Sequence, residues 1–245
     1  MKKTDSAYAA LAPFYEELSI EDYSGWGDFA VELVKKYAAC KKGADAACGS
    51  GYFTRFLKKH GYDVYGCDIS DEMLTQAAKT AADEGINVKF IRQDLAKFKS
   101  AEKLGFVTVI NDGFNYLDGE KLKRAFKAVR SSLVGGGALI FDISSEYKLR
   151  NVIGNNVFCY DGDDVSYIWF NRLNADSVTM ELSVFESMGG LYKKREEVHT
   201  QYIHNQDFIL NALKDSGFKI EFICGALGEK LTDTSERIVF VAVKV

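Results

Sequence analysis

The segment Asp45-Ala46-Ala47-Cys48-Gly49-Ser50-Gly51, with Asp68 seventeen residues after Gly51, constrains this chain more than any other feature. Two closely spaced glycines allow a sharp turn and let a ligand reach main-chain atoms without meeting a Cβ. An acidic residue about twenty residues further on is where a doubly wound α/β fold holds a ribose diol. A carboxylate suits that task because its two oxygens accept from neighbouring hydroxyls.

A dinucleotide site requires G-x-G-x-x-G, whose third glycine lets the following helix pack closely under a pyrophosphate. The frame from Gly49 places Thr54 at that third position, and the frame starting at Ala47 fails as well. This disfavours a nicotinamide-linked oxidoreductase. A ligand with adenosine and ribose but no pyrophosphate, such as S-adenosylmethionine, has no need of the missing glycine.

The remaining chain reads in three stretches. From Ala7 to about Ala39 the pattern is helical, with Leu11, Phe14, Tyr15 and Leu18 at three- and four-residue steps and a second helix over roughly 26–37. Strand–helix alternation follows and implies a parallel sheet. Strands are expected at 43–47, 63–67, 88–92, 106–111 and 138–142, and the helix over 122–133 is expected to stop at Gly135-Gly136-Gly137. Asp68, Asp94, Asn111-Asp112 and Asp142 fall at or just past strand ends, where an open α/β sheet binds ligands. Strand-end aspartates also start turns and cap helices, which is the plainer account of any single one. Residues 151–204 then interrupt the pattern with four strands and turn signals, an antiparallel insertion expected to cap the rim.

Composition sets outer bounds. A 245-residue chain with a net charge of −4 has no long basic block, so nucleic acid is an unlikely partner. Its five cysteines are dispersed, without C-x-x-C, and the three histidines are isolated, so neither a disulfide frame nor a bound metal is expected. No apolar run has signal or membrane-spanning length, and the expected location is cytoplasmic.

Taken in order, these motifs resemble the class I S-adenosylmethionine-dependent methyltransferases. Asp45-Ala-Ala-Cys-Gly-Ser-Gly51 is similar to the family's D-x-G-C-G-T-G, with Ala47 and Ser50 as departures. The resemblance implies an α/β fold: a Rossmann-like, doubly wound, mostly parallel seven-stranded sheet with an antiparallel last strand. Residues 1–150 and 205–245 would form the cofactor domain, with 1–40 as a helical lid and 151–204 as a substrate cap. It further implies that Ala47, Cys48, Gly49 and Gly51 meet the cofactor through their backbone and that Asp68 binds the ribose. Ile69 and Met73 would flank the adenine, with Asp94 and Leu95 at its amino group, and Asn111 and Asp112 would face the methionine moiety. The N-terminal aromatic run resembles a segment that lies over the cofactor in this family. Tyr15 and Trp26 are therefore candidates for the methionine end, although both also fit aromatic core packing.

The acceptor is less legible. The chain lacks the D/N-P-P-Y/F motif of base-amino methyltransferases and the proline–cysteine pair of RNA cytosine-carbon enzymes. The expectation is methyl transfer to oxygen or nitrogen of a small molecule, by a monomer or homodimer. The alternatives are a protein or RNA methyltransferase, or a non-catalytic S-adenosylmethionine-binding protein. Period two aligns Arg195, Glu197, His199 and Gln201 on one side of a strand. With Asn115 and Tyr116, Arg195 and Glu197 are candidates for substrate contact, and His199 for a general base. The same row also fits a solvated edge strand. His60 and His204 are read as surface residues.

Overall fold

The computed structural model describes residues 8–18 and 23–245. After a 3-10 turn (Ala12–Phe14) come α1 (Tyr15–Leu18), α2 (Tyr23–Tyr37), β1 (Lys42–Ala46), α3 (Tyr52–Lys59), β2 (Asp63–Asp68), α4 (Asp71–Asp83), β3 (Phe90–Arg92) and β4 (Leu104–Val109). Next are α5 (Gly119–Ser132), β5 (Leu133–Ser144), a π turn (Lys148–Ile153), and the inserted strands β6 (Val157–Asp161), β7 (Val165–Leu173), β8 (Ser177–Ser187) and β9 (Tyr192–Tyr202). The chain finishes with α6 (Gln206–Asp215), β10 (Phe218–Cys224) and β11 (Arg237–Lys244).

Seven strands form one sheet in the order β10-β11-β5-β4-β1-β2-β3, and the inserted four form a separate antiparallel sheet, β6-β7-β8-β9. In the larger sheet β11 alone runs antiparallel, against both β5 and β10. The central strands are buried on both faces, so they read as continuous apolar runs. Phe141 of β5 stacks on Phe240 of β11 at 5.0 Å and meets Phe114 edge-on on one face. Phe106, Ile140 and Val241 serve the other face, against Leu33 and Val34 of α2 and Leu57 of α3. Side-chain oxygens of Ser70, Asp118 and Asn205 cap α4, α5 and α6, contacts typically worth about 1 kcal/mol each.

Two expectations are corrected. The Gly135–Gly137 run does not end a helix: α5 stops at Ser132 and passes directly into β5, because Leu133 is fully buried and pairs with Leu104 of β4. The glycines sit at the irregularity in that pairing, and Gly136 has φ +74°. Within residues 8–18 the N-terminal segment is not one continuous helix, since Pro13 lies in a 3-10 turn ahead of α1. Its apolar steps face the inserted sheet, where Ala10, Leu11, Phe14 and Leu18 pack on Val165, Leu182 and Val184. α2, in contrast, packs into the core through Trp26, Leu33 and Val34 and reaches the cavity with its first residue, Tyr23.

One buried node fixes the centre of the large sheet. Asp45 of β1 is almost fully buried, and its carboxylate accepts from Thr54 Oγ1 of α3 at 2.7 Å and Thr108 Oγ1 of β4 at 2.8 Å. Thr54, the residue that breaks the dinucleotide motif, is therefore a structural donor beneath the glycine turn. The turn itself places Ala47, Gly49 and Gly51 in the left-handed region, with φ of +54°, +52° and +78°. A Cβ at Gly51 would collide with Phe90 and Ala77. At Ala47 the methyl group is retained at a backbone cost of about 1 kcal/mol.

Two measurements follow from this node and turn. Burial raises the Asp45 carboxyl from 3.8 to about 6, against the lowering effect of its threonine donors. The folded chain thus binds that proton more tightly than the unfolded chain, so stability falls as pH rises from about 4 through 6. The penalty, about 3 kcal/mol, persists above that range. Asp45→Asn should melt at or above the wild-type temperature at pH 7 and show a shallower decline from pH 4 to 6, since Thr108 Oγ1 also lies 3.4 Å from the Ala44 carbonyl. A large drop at pH 7 would show the charge itself to be stabilising. Ala47→Gly should raise the melting temperature by about 2–4 °C, whereas a decrease would mean that the methyl group packs productively.

Candidate functional site

Strand order reverses direction between β1 and β4, and a cavity of about 380 Å³ opens over the C-terminal ends of β1, β2 and β4. Its floor is the glycine turn. The Gly49 amide donates to Asp68 Oδ2 at 2.9 Å, and the Ser70 amide donates to Asp68 Oδ1 at 2.9 Å. Each carboxylate oxygen keeps a further acceptor position, and burial pushes the carboxyl of Asp68 up. A Cβ on Gly49 would touch nothing within 4 Å, so the glycine there serves the left-handed backbone and keeps the space above it open.

One end of the cavity is lined by Ile69, Met73, Asp94 and Leu95. Ile69 is 60% exposed despite its size, whereas Met73 is buried. Asp94 accepts from the Ala96 amide at 2.9 Å and so caps its own short turn. The other end is lined by Tyr8, Tyr15, Tyr23, Asn111 and Tyr116. The Tyr8 and Tyr116 hydroxyls share a short hydrogen bond, the Tyr8 and Tyr15 rings meet edge-on at 5.4 Å, and Asn111 Nδ2 donates to the Tyr15 hydroxyl at 3.0 Å. Burial pushes the phenols of Tyr8, Tyr15 and Tyr116 above their ordinary value, so all three are neutral at physiological pH.

A polar brace supports that end from below. Asn111 and Asp112 both adopt left-handed backbone, which these residue types tolerate. Their amides donate to the two oxygens of Asp142 at 2.7 and 3.1 Å. Arg237 pairs with Asp142 and donates to Asn111 Oδ1 at 3.0 Å. Burial raises the carboxyl of Asp142, with the adjacent Arg237 opposing that shift.

The cavity brings together Tyr15, Ala47, Cys48, Gly49, Asp68, Ile69, Met73, Asp94, Leu95, Asn111 and Tyr116 from the sequence-derived set. It excludes the rest, each for a physical reason. Trp26 is buried in the core beneath the Arg237 guanidinium, at 5.4 Å from it. Gly51 lies under the turn against Phe90. Asp112 turns its carboxylate to the Ser144 hydroxyl at 2.7 Å. Asn115 is fully buried, donating to the Ser144 and Tyr202 carbonyls and accepting from the Ser144 amide. Arg195 reaches the Ala9 carbonyl and Glu186 instead of the cavity.

Glu197 and His199 do share one face of β9, but that face is buried under the N-terminal segment. His199 Nε2 lies 2.9 Å from Glu197 Oε2, and its Nδ1 lies 3.5 Å from the Tyr116 hydroxyl. It therefore meets the cavity only through a tyrosine and not as a wall residue. His204 is also buried, with Nε2 2.9 Å from the Leu117 carbonyl, and is not a surface residue. His60 is exposed and stacks on Phe56.

Sequence reasoning passed over Tyr8, Tyr23, Ser50, Tyr52, Phe53 and Gln93 as cavity residues. Tyr8 and Tyr23 carried the available signal, their place in the N-terminal aromatic run. Among the described residues no group of three or more histidine, cysteine or acidic side chains is arranged to hold a metal ion, and no helix is long and apolar enough to cross a membrane.

Comparison with known proteins agrees with this geometry. A family profile described as a methyltransferase domain matches residues 44–137, the half of the sheet that carries the glycine turn and Asp68. A putative methyltransferase of Geobacillus sp. (strain WCH70) is 29% identical over 97% of this chain and 99% of its own. The crystal structure of an S-adenosylmethionine-dependent methyltransferase from Clostridium acetobutylicum ATCC 824 is 33% identical, with a TM-score of 0.89 over 97% of this chain and 98% of that one. The sugar N-methyltransferase KedS8 from Streptoalloteichus sp ATCC 53650 shares the fold at 18% identity and a TM-score of 0.80, over 100% of this chain and 96% of its own. The chain belongs to the class I S-adenosylmethionine-dependent methyltransferases, and S-adenosylmethionine is its cofactor.

Proposed function

We propose that this enzyme methylates oxygen or nitrogen of a small molecule, with an amine as the first acceptor to test. The observation that carries the reading is the pairing of a half-buried Asp68 carboxylate at one side of the cavity with a cage of neutral, half-buried tyrosines at the other. The residues present fit the cofactor. Asp68 keeps acceptor positions for a ribose diol, Ile69 and Met73 offer apolar faces to an adenine, and Asp94 and Leu95 lie at its edge. The open backbone at Ala47, Cys48 and Gly49, together with Asn111, suits the amino-acid end.

Bound S-adenosylmethionine supplies a methyl group already activated on a sulfonium. The protein's part is to hold and orient. Tyr8, Tyr15 and Tyr116 contribute aromatic rings and hydroxyl oxygens to the lining, an electron-rich surface that favours a positive centre. Positioning alone supplies a large share of such an acceleration. No base among the cavity residues is needed for a neutral amine, which brings its own lone pair. A hydroxyl acceptor would require the route from Tyr116 to His199.

The cover that Tyr8 and Tyr15 of residues 8–18 give the tyrosine end, with the inserted sheet packed behind that segment as a cap, supports a small acceptor over a protein or nucleic-acid surface. The sugar N-methyltransferase with the same fold is consistent with that acceptor class.

Calorimetry should show micromolar binding of S-adenosylhomocysteine that Asp68→Ala weakens ~10-fold or more, about 1.4 kcal/mol. Unchanged affinity would remove Asp68 from the ribose site. Incubation with methyl-labelled S-adenosylmethionine and a cell extract should place the label in the low-mass fraction. Label appearing in protein or RNA instead would overturn the small-acceptor reading.

A further inference from the structure

The N-terminal segment delivers Tyr8 and Tyr15 to the cavity without a sheet or a long helix to hold it. Tyr8 itself has φ +68°, a conformation that a bulky residue keeps only when its surroundings fix it. Among the described residues, the backbone amides of Tyr8, Ala10 and Leu11 meet one side chain of the inserted sheet. Glu197 of β9 has a fully buried carboxylate. Its Oε2 accepts from the Tyr8 amide at 3.0 Å, and its Oε1 accepts from the Ala10 amide and from the Leu11 amide at 3.2 Å. Three backbone donors converging on one carboxylate form an anion-binding concavity made by the chain for its own side chain.

The neighbours complete the clasp. His199, two residues along the same strand, contacts Glu197 Oε2 through Nε2, and its ring lies edge-on to Tyr8 at 4.6 Å. Arg195, on the same face, donates to the Ala9 carbonyl at 3.5 Å. Tyr8 then stands with its hydroxyl on that of Tyr116 and its ring against Tyr15.

We infer that Glu197 is a positioning residue for the methyl-transfer cavity: lying outside the cavity, it acts through Tyr8 by clasping the backbone from Tyr8 to Leu11. The inference rests on the cofactor placement proposed above. It makes the inserted sheet an obligatory part of the cofactor site, beyond any contact the sheet makes with the acceptor. A glutamine at 197 retains the shape but turns a donor NH2 toward backbone donors, so the clasp loosens without emptying the space.

The test is a double-mutant cycle on the full chain, with S-adenosylhomocysteine binding as the readout and thermal unfolding alongside. Wild type should bind, and Glu197→Gln should bind ~10-fold more weakly or worse while still unfolding cooperatively. Tyr8→Ala should also bind more weakly, and in that background Glu197→Gln should cost less than about 2-fold. Glu197→Asp, which keeps the charge on a shorter stem, should fall between wild type and Glu197→Gln, and it replaces the glutamine variant in the cycle should that variant not fold. Unchanged affinity in the position-197 variant, or losses at 8 and 197 that simply multiply, would overturn the inference while leaving the cofactor site intact. Absence of binding by the folded wild type would instead bring down the cofactor placement and this inference with it.

Discussion

The buried Asp45 carboxylate is the point on which the site is built. It joins the end of β1 to the first turn of α3 and to β4 through two threonine hydroxyls. These are the elements that part company at the reversal of strand order, and a crevice there is where an open α/β sheet receives its ligand. With β1 and α3 held together, the turn between them must climb through left-handed residues. That climb aims the Gly49 amide at Asp68 on the neighbouring strand. The orientation of the acid proposed to hold the ribose therefore depends on a carboxylate that lies outside the cavity. Its burial is costly, and two hydroxyl donors offset only part of the penalty.

The far end of the cavity obeys a different logic. It is assembled from pieces remote in sequence: Tyr8 and Tyr15, the Asn111–Tyr116 loop, and the inserted sheet behind them. Two buried charge clusters brace it. Asp142 and Arg237 set the backbone of Asn111 and Asp112, and Glu197 sets the backbone around Tyr8. Both place buried carboxylates just behind a lining of neutral phenols. In the proposed reading, the lining then offers electron-rich surface to a cation while its own phenols stay neutral.

The half of this arrangement that the sequence discloses is the half where ligand chemistry dictates local pattern. An acid at a fixed distance from a glycine turn, the pattern proposed to bind a diol, leaves a signature within 24 residues (45–68), and Asp68 sits beside the turn where the pattern places it. The strand alternation likewise specifies a mostly parallel sheet, because strands buried on both faces must be continuous apolar runs. Contacts spanning the chain leave no such signature. Glu197 and Tyr8 are 189 residues apart, and nothing in a polar period-two row tells whether a second segment will bury it. Arg195, Glu197 and His199 do share a face; what covers that face is peptide backbone. Asn115 misled for a related reason, since a buried amide satisfying three backbone partners has the same letter as an amide awaiting a substrate. The Gly135–Gly137 run misled because glycine marks both helix ends and strand irregularities, and only the buried pairing of Leu133 with Leu104 separates them.

The most direct measurement is a crystal structure of the chain with S-adenosylhomocysteine. The expected result is a single nucleoside in the cavity above Gly49, its ribose hydroxyls on the Asp68 carboxylate and its sulfur facing Tyr8, Tyr15 and Tyr116. A nucleoside bound elsewhere, such as the surface cleft between Lys230 and Arg237, or bound with its ribose away from Asp68, would contradict the account.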